Sequence, residues 1–363
     1  MLRVRLESLT YVSGDNVPQP WNNFEPLLPY LTVAAAVLPV LLVLGWWQRH
    51  ENAALFPPRR QRATPWTGAE VLGAFLIAQL VPVAFLVLLQ RTALLDLLYT
   101  GPRPPQKLYD LRCGLWAATL ALPLLVAAIL LQLRAISHTR PYQVGWTGHR
   151  LPGNILLGLL YWLALTPAIL LLHVFVTHVY DAVLHSPPDE HPIPRLLHEA
   201  GAPADWLLTV LSAAIAAPVG EELLYRGVLQ PWLMRRVYRC DLVFILSLLL
   251  AVLFREKGLT EAVVERDAWQ FFLELQPAMF VLLLLPAQVF LRSRPSLTSC
   301  AILNSALFFA VWHTGVWPTP IPLLCLGLLL GYLSWRTQSL VAPIVLHAVF
   351  NSVAIVTMVL LKT

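Results

Sequence analysis

The sequence predicts an all-α, polytopic transmembrane helix bundle of about 8–10 membrane helices, and three observations lead there. Of 363 residues, 58% are hydrophobic and only 12% are charged, against about 25% charged in an ordinary soluble domain. The apolar residues gather in runs close to the ~20 that an α-helix needs to cross the hydrocarbon core. Lipid offers the backbone no hydrogen-bond partners, so segments of this length are expected to satisfy themselves as helices.

Taken in order, residues 28–47, 71–90, 113–133 and 154–176 each read as one span, and 206–233 as a longer helix. Residues 242–254 and 278–291 are shorter and read as a hairpin of half-spans. Residues 297–313, 321–335 and 342–361 complete the set. The first 27 residues hold Asp15, Asn22, Asn23 and Glu25 and no early apolar run, so they read as a tail and not as a cleaved signal peptide. Pro82, Pro123, Pro167 and Pro218 fall inside helices, where a missing N–H kinks or widens the axis.

Charge sets the orientation. The loops 48–65, 134–150, 235–241, 292–296 and 336–341 hold 13 of the 25 Lys and Arg in 53 positions. Positive-inside bias makes these the cytoplasmic loops, with both termini extracytoplasmic and the chain in a cytoplasmic (inner) membrane. The same bias explains the net charge of +5 with no nucleic-acid partner. Cys113, Cys240, Cys300 and Cys325 are far apart, form no CxxC pair, and read as buried structural thiols. The loop "HVYDAVLHSPPDEHPIPRLLHEAG" brings His178, His185, His191 and His198 near several acids, but without an i, i+4 ligand pair it reads as solvated.

The chemistry is expected in three polar islands. "PVGEELLYRGVLQPWL", residues 218–233, sets two glutamates and an arginine inside a membrane helix, where each charge costs roughly 2.5–3.5 kcal/mol even on a lenient scale. Glu222 and Arg226 are four apart and can pair. Glu221 is rotated about 100° away and has no partner at helical spacing. "FFAVWH" places Phe309 and His313 four apart, and "LHAVFN" does the same for His347 and Asn351. One glutamate, two histidines and an asparagine on three helices can activate a water as general base and donate to a developing oxyanion. Each island alone also fits interhelical hydrogen bonding.

The ordered set Glu221-Glu222-Leu-Leu-Tyr-Arg226, Phe309-Ala-Val-Trp-His313 and His347-Ala-Val-Phe-Asn351 resembles the CPBP family of intramembrane proteases, which includes CAAX prenyl endopeptidases and bacteriocin-processing or immunity relatives. The resemblance covers roughly residues 206–237 and 297–357. It implies an intramembrane endopeptidase whose substrate is a membrane-associated peptide or protein, lipidated or not. In that reading Glu221 and His313 activate water, His347 and Asn351 stabilise the oxyanion, and Glu222, Arg226 and Phe309 support them. Glu221, His313 and His347 could also ligate a divalent metal such as zinc, although no HExxH is present. The chain then divides into an extracytoplasmic tail at 1–27, membrane helices without a motif at 28–205, and a CPBP-like core at 206–363. That core is interrupted at 241–296 by a segment that reads as an insertion. A proton-coupled transporter would show paired broken helices in two repeated halves, which the sequence lacks. A catalytically silent scaffold or immunity factor would have no need of the intact polar set.

Overall fold

The structure is a computed structural model that describes residues 61–92, 94–95, 99, 105–184, 203–293 and 297–360. The expected tail at 1–27, the span at 28–47 and most of the histidine-rich loop lie outside the described residues. Among the described residues all regular structure is helical. Helix α1 spans Gly68–Arg91, α2 Gln106–Ser137 and α3 Leu151–Leu184. The composite helix α4 runs Pro203–Leu233. It is followed by α5 (Val237–Leu253), α6 (Glu256–Glu265), α7 (Ala268–Leu283) and α8 (Leu285–Arg292). The last three are α9 (Leu297–Val311), α10 (Pro320–Thr337) and α11 (Val341–Leu360).

Five of these are long and apolar enough to cross a membrane: α1, α2, α3, α4 and the continuous pair α7–α8. Helices α5 and α6 meet that criterion only as one span bent by 51°, while α9 and the Val341–Val356 part of α11 are apolar but shorter. The outward faces of the long helices are leucine-rich. Leu72, Leu76, Leu80, Val83 and Val87 form such a face on α1, and their side chains are spaced every three to four residues as a lipid-facing stripe requires. A water-exposed protein rarely carries so large a contiguous apolar face. The bundle is a polytopic membrane fold.

Helix α4 is its centre. Half of its apolar window is buried, against 17–28% for the other four spans. It packs against α1, α2, α9, α10 and α11, so its polar residues meet side chains from the rest of the core. The segment before α1 is pinned to it as well, because Trp66 Nε1 donates to the Val228 carbonyl at 3.0 Å.

Three details correct the expectations. The helix expected at 206–233 is not uniformly α: residues Leu211–Ala216 and Glu222–Leu229 are π-helical, on either side of Pro218. The segment expected as a half-span at 278–291 starts ten residues earlier, at Ala268. Polar residues in "AWQFFLELQP" lower its hydropathy, yet Glu274 is held by Arg255 at 2.6 Å and folds into the contact between α6 and α7. Helix α9 ends at Val311, so His313 stands in the following turn and not on the helix.

Away from the polar centre, α2 and α4 are joined by an ion pair. Arg112 donates from Nε and Nη2 to the two oxygens of Asp205 at 2.8 and 2.6 Å. The Arg112 guanidinium lies 4.1 Å from the centre of the Tyr99 ring, and Trp116 Nε1 donates to the Tyr99 hydroxyl. Burial pushes the Tyr99 hydroxyl up to about 12. Breaking a buried pair costs more than deleting it, since one charge is left uncompensated. Asp205→Ala is therefore expected to destabilise the protein by about 3–5 kcal/mol, and Arg112→Met/Asp205→Leu far less. Melting midpoints in detergent measure both.

Candidate active site

The site begins with backbone hydrogen bonding. In a π-helix each N–H reaches back five residues, so a stretch of it shifts the register of every side chain beyond. Ala217 N–H donates to Ser212 O in that register. The next donor in the ladder would serve Ala213, but it falls to Pro218, which has no N–H. Asn351 of α11 supplies the missing bond, donating from Nδ2 to Ala213 O at 2.8 Å. A second π stretch begins immediately after Glu221, and Gln230 N–H closes it on Tyr225 O. Two acidic residues thus leave a widened helix where its fully buried stretch, 222–230, begins.

Their environments differ sharply. Glu222 and Arg226 are fully buried and paired through Glu222 Oε1 and Arg226 Nη1 at 3.1 Å. The same Glu222 oxygen faces His347 Nδ1 at 2.9 Å. Glu221 instead keeps 26% of its side chain exposed, as does His313, while His347 keeps 4%. Glu221 Oε1 lies 3.9 Å from His313 Nε2, and its Oε2 lies 3.8 Å from His347 Nε2.

Acceptors fix the tautomers. His313 Nδ1 is 2.8 Å from the Phe309 carbonyl, and His347 Nδ1 is against the Glu222 carboxylate. Both partners accept, so each Nδ1 carries a proton, and Nε2 of each ring faces Glu221. Phe309 packs edge-on against both rings, with centroids 4.9 Å from His313 and 5.9 Å from His347. Its face receives the Arg226 guanidinium at 4.8 Å.

Four residues the sequence reading passed over complete this support. Arg226 Nη2 donates to Gly327 O at 3.1 Å, and Gln230 Nε2 donates to Gly331 O at 2.9 Å. Donors four apart on α4 thus meet carbonyls four apart on α10. The glycines allow the approach: a Cβ on Gly327 would meet the Ala306 Cβ at 3.0 Å, and one on Gly331 would meet Gln230 Oε1 at 2.8 Å. Ser305 of α9 donates to that Gln230 oxygen at 3.2 Å. The matched spacings "RGVLQ" and "GLLLG" were visible in the sequence, the latter as the small-xxx-small pattern of close membrane helices.

The structure therefore brings Glu221, His313 and His347 to one place and sets Glu222, Arg226 and Phe309 behind them. Asn351 lies one turn beyond His347, with one amide hydrogen committed to Ala213. A zinc ion needs donors of this kind, and each histidine has the outer hydrogen bond typical of a ligand. The spacing is less suitable. Two donors bound to one tetrahedral zinc at about 2.0–2.2 Å sit about 3.3–3.6 Å apart, and the contacts here are 3.8 and 3.9 Å. Among the described residues no group of three or more His, Cys, Asp or Glu is arranged to hold a metal ion. As placed, Glu221 stands a few tenths of an ångström too far from both histidines to share one tetrahedral zinc with them.

A family model described as type II CAAX prenyl endopeptidase Rce1-like matches residues 203–294 and 278–353. An Rce1-like CAAX protease family domain thus matches α4 through most of α11. The stretch contains every residue of the site, and the rest of the chain is unmatched. Comparison with curated proteins and with solved structures returns no match.

Glu222→Gln would remove the counter-ion of a fully buried arginine and the carboxylate that holds His347. Its cost is expected to be about 3–5 kcal/mol, seen as a lower folded yield and melting midpoint in detergent. Glu221→Gln, at a partly exposed position, is expected to match wild type in both.

Proposed function

We propose that the protein is an intramembrane endopeptidase that hydrolyses a peptide bond in a membrane-associated substrate through a glutamate- and histidine-activated water. One observation carries the reading: a partly exposed carboxylate stands between two imidazole Nε2 atoms at 3.8 and 3.9 Å inside a membrane bundle. Those gaps exceed a direct hydrogen bond, so the carboxylate is not consumed by either ring and is left to bind a water. The match to the Rce1-like family over the same residues supports the reaction class.

Glu221, helped by His313, takes a proton from the water as its oxygen bonds to the scissile carbonyl carbon. The carbonyl π electrons move to oxygen. His347 and the second amide hydrogen of Asn351 serve as donors to the resulting oxyanion. His347 donates from Nε2 when protonated, with Glu222 as the counter-charge at Nδ1, much as a buried carboxylate serves the histidine of a triad. Collapse of the intermediate breaks the C–N bond, and the proton held by Glu221 passes to the departing amine. Glu222 and Arg226 take no part in bond making; they hold His347 and Phe309 in place.

The test is cleavage of a library of membrane-associated peptides, lipidated and unlipidated, by purified protein in detergent. Glu221→Gln and His313→Ala are expected to lower turnover at least about 10²-fold, the lower end for a positioned general base, while folding as wild type does. Chelator is expected to have no effect. Equal turnover by wild type and Glu221→Gln would sink the assignment.

A further inference from the structure

A polar cavity of about 230 Å³ lies at the end of the bundle where α1 begins and α4 and α10 finish. Its walls include Arg62, Arg226, Arg235, Ser334, Trp335 and Gln338, and among the described residues they include no carboxylate. The Arg226 charge is already matched by Glu222. Arg62 and Arg235 are not matched: among the described residues neither forms an ion pair.

Both are held in place by neutral groups. Arg62 donates from its backbone N and from Nε to Gln338 Oε1, at 3.0 and 3.2 Å. Its guanidinium lies against Gly145, whose φ of +90° suits glycine and where a Cβ would collide with Arg62 Nη1. Arg235 Nη1 donates to Thr64 O at 2.7 Å. Buried donors remain: Arg62 Nη1, Arg226 Nε and the hydroxyl of Ser334, 1% exposed, have no partner among the described residues. Burial lowers the Arg62 pKa to about 10, so it stays cationic at neutral pH.

We propose that this cavity binds the phosphate of an anionic phospholipid headgroup. Two unmatched cations on the wall of one cavity are complementary to an oxyanion. Three helix ends meet here, which places the cavity at the level of the bilayer interface, where phospholipid phosphate is concentrated and where Trp335 suits an interfacial rim. The basic loops mark this as the cytoplasmic side, whose leaflet carries anionic lipid. A zwitterionic headgroup would bring an ammonium with no carboxylate to meet it. The proposal is independent of the hydrolase reading.

The experiment is native mass spectrometry of the purified full chain with phosphatidylglycerol or phosphatidylcholine of matched acyl chains. Wild type is expected to retain phosphatidylglycerol preferentially. Arg62→Gln and Arg235→Gln are each expected to reduce that retention about fivefold, one interfacial cation apiece. Equal retention of both lipids by wild type overturns the site whether or not the variants fold, as does unchanged retention in folded variants. A parallel arm measures the melting midpoint with inorganic phosphate. Stabilisation by phosphate equal to that by phosphatidylglycerol would overturn the lipid assignment in favour of a free anion.

Discussion

Glu222 Oε1 accepts from Arg226 on its own helix and from His347 on α11, at 3.1 and 2.9 Å. Most of the polar centre depends on this shared atom. Arg226 could not be buried at 0% exposure without the carboxylate, since an isolated ion in a low-dielectric interior costs several kcal/mol. Once neutralised, the guanidinium is free to use its other donors, on Gly327 O and over the Phe309 ring. Phe309 then sets both imidazoles edge-on, and its carbonyl orients His313. The result distinguishes two adjacent acids: Glu222 is committed to the scaffold, and Glu221 stays partly exposed.

The backbone makes that separation possible. In a straight α-helix Pro218 would leave a carbonyl unsatisfied in apolar surroundings, one of the costliest defects a membrane helix can have. The π register transfers the shortage to Ala213, where Asn351 meets it. The same bond ties α11 to α4 one turn from His347, so the repair of the proline also fixes the distance between the histidine and the glutamates. Small residues at Ser212, Ala213 and Ala216 let the wider turn pack, while Ile215 points outward.

Much of this was legible in the sequence. Long apolar runs locate α1, α2, α3 and α4 because span length is set by bilayer thickness, a constraint that needs no tertiary information. The pairing of Glu222 with Arg226 follows from spacing, and it survives the π register because residues four apart still share a face. The three islands pointed to one cavity because charge and amide groups within lipid need one another. What stayed hidden depended on contacts between distant segments. The start of α7 was masked by Glu274, whose charge is offset by Arg255. Gln230 gains its role only through the Gly331 carbonyl, 101 residues along the chain. Asn351 was read by the chemistry of its amide, yet its first partner is a carbonyl freed by a proline 133 residues earlier in the chain. No local pattern encodes that pairing.

The account rests on His347 being held through Nδ1–H by Glu222, which leaves Nε2 facing Glu221. The ¹⁵N shifts of the His347 ring, measured on selectively labelled protein in lipid at a pH where the ring is neutral, report this directly. The account predicts a protonated Nδ1 and an unprotonated Nε2, with that preference lost in a folded Glu222→Ala variant. A neutral His347 protonated at Nε2, or one indifferent to Glu222→Ala, would contradict it.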